Sequence, residues 1–135
     1  MYTIHHSKKL TNLSPVKYKI INLFINFCVN KLKIHTDFNV YLTDKNDNLG
    51  FNMTLACYDV NSNNIYCRTD SRFFYDVCRS IAHELVHLKQ NQNNEIDWKK
   101  FTDVGGIWED EANSVAGVLC KEFTYENNCR WIYKL

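Results

Sequence analysis

The chain has 135 residues, 45% of them hydrophobic, and sets 16 Lys and Arg against 15 Asp and Glu for a net charge of +1. That length and apolar content suit one domain, residues 1–135, with a hydrophobic core of its own. Balanced charge provides no broad field to draw the chain to nucleic acid or an acidic membrane, so neither is expected as a partner.

The opening residues lack the basic-then-apolar plan of a signal peptide. The longest apolar run, "IINLFINFCV", is broken by Asn22 and Asn26. A soluble, cytoplasmic protein without a membrane span is therefore expected. In that setting the six cysteines (Cys28, Cys57, Cys67, Cys78, Cys120 and Cys129) are expected to be reduced and packed. The absence of any Cys-x-x-Cys pair removes zinc-ribbon and thioredoxin-type sites.

The first predicted element is a helix, with Ser14 as N-cap and Pro15 at the first helical position. Lys19, Asn22, Asn26, Asn30 and Lys33 form one polar stripe, and the other faces are nearly all apolar. "FNVYLTD" (38–44) alternates as a strand and "KNDN" is a turn. "GFNMTLACYD" and "NIYCR" are two further strands joined by a hairpin at "VNSN". With Ser62 at the hairpin's centre, Cys57 and Cys67 would face each other.

A second helix is predicted from Arg72 to about Gln92 on the apolar stripe Phe74, Val77, Cys78, Ile81, Leu85 and Leu88. After the polar connection "NQNNEIDWKKFTDVGG", a third helix runs from near Ile107 to about Tyr125, with Trp108, Val115, Val118 and Leu119 inward. The aromatic tail "CRWIYKL" is expected to pack back on the domain. The fold class is α+β, with a small, mostly antiparallel sheet between the first helix and the other two.

The second helix carries "IAHELVHL" (81–88). Residues four apart on a helix lie one turn above each other, so His83 and His87 can direct ring nitrogens at one ion with Glu84 beside it. His-Glu-x-x-His on a helix is a metalloprotease signature. At 100° per residue both histidines lie away from the Phe74-to-Leu88 stripe, so they face a cleft and not the main core.

A catalytic zinc takes three protein ligands and leaves one position open. The extended pattern with a third histidine needs Gly and His where this chain has Gln90 and Asn93, which excludes that branch. In "IWEDEANSVAG", Glu111 shares a helical stripe with Ile107, Trp108, Val115 and Val118, and a carboxylate buried there must be paired or metal-bound. Glu111 is the first choice for the third ligand, Glu109 the second and Asp103 the third.

"IAHELVHLKQ" followed by "WEDEANSVAG" resembles the gluzincin branch of the zincin metallopeptidases, specifically small single-domain forms of the phage-type and repressor-cleaving kinds. The resemblance covers roughly residues 50 to 120. It implies a zincin-like fold in which a following helix supplies a zinc-binding glutamate, commonly before alanine, as Glu111-Ala112 would. It also implies that the hairpin "ACYDVNSNNIYCR" forms the sheet edge above the metal helix. Thermolysin-like members orient a histidine with an aspartate four residues after the ligand glutamate, a position that is Val115 when counted from Glu111.

The expected activity is hydrolysis of a protein or peptide substrate through a water activated by one Zn²⁺, with Glu84 as general base. Tyr58, Tyr66, Tyr125, Tyr133 and a nearby histidine are the candidate oxyanion donors, and the sequence does not choose among them. The alternative is a zinc-containing regulatory or protein-binding module that cuts nothing. A closed structural site, however, needs neither a general base nor an open position, and Cys78 is poorly aimed to close it. A metal-free helical interaction domain is the third reading, and it predicts no stoichiometric zinc.

Overall fold

The computed structural model describes residues 1–6, 13–44, 55–102 and 105–135. Strand β1 (Tyr2–His6) is followed by helix α1 (Pro15–Leu32), strands β2 (Phe38–Thr43), β3 (Ala56–Asp59) and β4 (Asn64–Arg68), and helices α2 (Phe74–Gln92) and α3 (Ile107–Glu126). A 3₁₀ turn, Arg130–Lys134, closes the chain. The expected turn at "KNDN", the early part of "GFNMTLACYD" and Asp103 lie outside the described residues.

Helix α1 begins where its sequence predicts. The Ser14 hydroxyl accepts the Lys17 backbone N–H at 3.3 Å, and Pro15 occupies the first turn, where its missing N–H costs nothing. Lys33 ends the helix in the left-handed region, its N–H bonded to the Val29 carbonyl. The polar stripe is exposed from Lys19 to Lys33, and Ile20, Ile21, Phe24, Ile25 and Cys28 are buried. Val16 and Leu23 are exposed, so the apolar face is narrower than the sequence suggests.

The four strands form one mixed sheet in the order β1-β2-β4-β3. β1 pairs with β2, and β2 with β4, in parallel; only β3 and β4 are antiparallel. The expectation of a mostly antiparallel sheet is thus corrected. Its source is β1, five residues too short and too polar to register as a strand, which joins β2 because α1 provides the crossover that parallel strands require. The hairpin register differs by one residue from the expected one: Cys57 faces Tyr66, and Ala56 faces Cys67. A one-residue slip moves a side chain to the other face of a sheet, so Cys57 and Cys67 are on opposite faces. All six cysteines are free.

Phe38, Val40, Leu42, Ile65 and Cys67 face a core shared with α1, α2, α3 and the tail. The tail packs back as expected: Ile132 is buried, Tyr133 lies against Tyr75 with ring centroids 4.7 Å apart, and the Leu135 carbonyl accepts the Phe74 N–H at 3.4 Å. Among the described residues no helix is long and apolar enough to cross a membrane.

Candidate metal centre

Phe74, Val77, Cys78, Ile81, Leu85 and Leu88 of α2 are all buried in the main core, as their spacing predicts. The opposite flank of the same helix carries His83 and His87, with Glu84 at the edge between that flank and the core stripe. They border a cleft of about 1170 Å³ whose walls include Ala56, Cys57 and Tyr58 of β3, Trp98 and Phe101 of the α2–α3 connection, and Glu109 and Asn113 of α3. Glu84 and His87 are only 8% and 3% exposed, because this second wall covers them from the other side.

The third donor group at the histidines is the carboxylate of Glu109. Its Oε1 lies 2.9 Å from His83 Nε2 and its Oε2 lies 3.0 Å from His87 Nε2, while the two Nε2 atoms are 3.2 Å apart. Glu111 is exposed and accepts a hydrogen bond from Gln90 Nε2 at 3.1 Å. It does not reach the histidines' meeting point.

The first choice of the sequence is corrected here in favour of the second, and the cause is the face of α3. Ile107 and Val118, taken as inward, are 75% and 51% exposed, whereas Ala112, Ala116, Leu119, Cys120 and Phe123 are buried. Small residues are the inward ones because α3 lies close against α2. Stepping back three positions from Ala112 along that stripe arrives at Glu109. The alanines were the available signal, but large apolar residues outweigh them in a sequence pattern.

Local structure explains how Glu109 arrives. Gly105 and Gly106 adopt φ of 74° and 89°, which side chains other than glycine rarely tolerate, and they turn the chain into α3. Glu109 then sits in the first turn of α3, where the helix dipole favours a carboxylate. Counting four residues on from Glu109, in place of Glu111, gives Asn113, which shares a side-chain hydrogen bond with His83.

The donor set could hold a metal ion. Two imidazole nitrogens and a carboxylate form an N₂O set of the kind found in catalytic zinc sites. Two atoms each about 2.1 Å from one ion at a tetrahedral angle stand roughly 3.4 Å apart. The 3.2 Å between the two Nε2 atoms falls a little short of that, and Glu109 meets the two rings with different oxygens. Among the described residues, His83, His87 and Glu109 are the one group whose donor atoms converge closely enough to hold a metal ion. Burial holds the His83 pKa below the ordinary imidazole value, against the opposing pull of Glu109, and so favours the neutral ring that a metal ion needs.

Several site residues lie where the sequence pattern gave no signal. Trp98 and Phe101 come from a segment read as a polar connection, yet the Phe101 ring meets His87 at 5.3 Å and Trp98 packs on Phe101 at 5.2 Å. Asn91 ties this wall to the sheet, accepting from Trp98 Nε1 at 2.9 Å and donating to the Tyr58 hydroxyl at 3.1 Å. Of the four tyrosines considered as oxyanion donors, Tyr58 lines the cleft, and Tyr66, Tyr125 and Tyr133 are not among its lining residues. Cys57, beside Glu84, has its pKa pushed up to about 11 by burial and then by Glu84 and Asp59, which keeps it a thiol. Cys78 is buried in the core with its pKa well above the ordinary thiol value, mainly through burial.

No known protein family, curated protein or solved structure matches the chain. The fold and site together define an α+β domain whose cleft holds a two-histidine, one-carboxylate cluster beside a buried glutamate.

Proposed function

We propose that the chain is a zinc metallopeptidase of the gluzincin type, with His83, His87 and Glu109 as metal ligands and Glu84 as general base. The observation that carries this reading is the convergence of the three donor groups at the cleft floor, next to Glu84. Zinc bound there would lower the pKa of a water toward ~7 and polarise a substrate carbonyl. Glu84 accepts the proton of the attacking water and returns it to the leaving amine nitrogen. Tyr58, on the facing wall, donates its hydroxyl proton to Asn63 Oδ1 and would have to turn from it to serve a developing oxyanion.

The substrate in this reading is a peptide in extended conformation. Among the described residues β3 ends the sheet order, and it lines the cleft, so a peptide can add to it as a further strand, whereas β4 is enclosed between β2 and β3. The decisive experiment measures zinc content and peptide-library cleavage for wild type and Glu84→Gln. Wild type should hold one zinc and cut. Glu84→Gln should hold the same zinc and cut about 10²–10⁴-fold more slowly. A wild type without stoichiometric zinc, or a Glu84→Gln variant that cuts at the wild-type rate, would remove the proposal.

A further inference from the structure

Gln90 is fully buried on the last turns of α2, three residues beyond His87. Its Nε2 donates to the Trp108 carbonyl at 3.1 Å and to Glu111 Oε1 at 3.1 Å. Both partners are oxygens that can only accept, so the amide nitrogen must face them. The amide oxygen therefore faces His87, whose Nδ1 lies 2.8 Å away. An amide oxygen has no proton to give, so Nδ1 must carry the hydrogen.

We propose that Glu111, Gln90 and His87 form a relay that holds His87 with its proton on Nδ1 and presents the Nε2 lone pair to the metal. Gln90 and Glu111 are positioning residues in this scheme, and Glu111 acts at one remove. Its negative charge polarises the Gln90 amide, which strengthens the oxygen as acceptor and raises the basicity of Nε2. The relay also ties the end of α2 to the first turn of α3, because Gln90 holds Trp108 and Glu111 on either side of Glu109 in the sequence. One buried amide thus orients a histidine and anchors the turn that delivers the carboxylate.

The inference rests on His87 as a metal ligand, but it does not depend on peptide hydrolysis. Two readouts separate the cases. The first is the ¹⁵N–¹H spectrum of the imidazoles in the metal-free protein carrying Glu109→Ala, which removes the carboxylate oxygen 3.0 Å from His87 Nε2, at about pH 8.5, two units above the ordinary histidine pKa. It should show His87 with its proton on Nδ1, and in Gln90→Leu that preference should disappear. The second is zinc affinity by competition with a chromophoric chelator. Gln90→Leu should bind roughly 10–100-fold more weakly. Glu111→Gln, whose carboxylate is exposed and screened, should lose less than about tenfold.

His87 with its proton on Nε2 in the Glu109→Ala protein would overturn the relay whether or not zinc binds. Gln90→Leu binding zinc as tightly as wild type would overturn its role in affinity.

Discussion

Replacing Glu109 and Glu111 separately by alanine distinguishes the two carboxylates that sequence alone leaves in competition. Glu109 has one oxygen 2.9 Å from His83 Nε2 and the other 3.0 Å from His87 Nε2, so its loss removes a direct ligand. Binding free energies of about 10–16 kcal/mol for four-ligand zinc sites correspond to roughly 2.5–4 kcal/mol for each ligand. At about 1.4 kcal/mol per decade, Glu109→Ala should weaken zinc binding by about 10²–10³-fold. Glu111 accepts a hydrogen bond from Gln90, 3.1 Å away, and is not among the converging donors, so Glu111→Ala should cost less than about tenfold. Competition with a chelator of known affinity, at one pH and salt concentration, reads both. Near-wild-type affinity in Glu109→Ala together with complete loss in Glu111→Ala would refute the assignment and restore the order that the sequence suggested.

Two further outcomes follow from burial and charge. In the chelated protein the lowered pKa of His83, set mainly by its burial, means that the folded state takes up fewer protons than the unfolded state below about pH 6.5. Stability should therefore be full above that pH and fall as pH drops from there toward the depressed folded value; urea unfolding should show a smaller fall in His83→Gln, and an equal fall would contradict it. On α3, Leu119→Ala should cost about 2–5 kcal/mol, whereas Ile107→Ala and Val118→Ala, at exposed positions, should each stay within about 0.5 kcal/mol. Denaturant midpoints that rank the three the other way would mean that the buried face of α3 is misassigned.

Periodicity and local chemistry made much of this protein legible from sequence. The Ser14-Pro15 start of α1, the apolar stripe of α2 and the placement of His83 and His87 off that stripe depend on neighbours within a turn or two of helix. Such features follow from backbone geometry that every helix shares. The parallel pairing of β1 with β2 does not, because it depends on where α1 returns the chain. The hairpin slip that separates Cys57 from Cys67 turns on a single residue of register. Trp98 and Phe101 become a wall of the cleft only when their segment folds against His87.

The third donor group shows the division most clearly. Sequence confined it to a short acidic stretch, and the close approach of α2 and α3 over Ala112 and Ala116 selected Glu109. Glu111, two residues on, points about 200° around the helix from Glu109, and that rotation places it on Gln90. Which of two acids meets a histidine is a property of how two helices face each other. Spacing within either helix cannot express it.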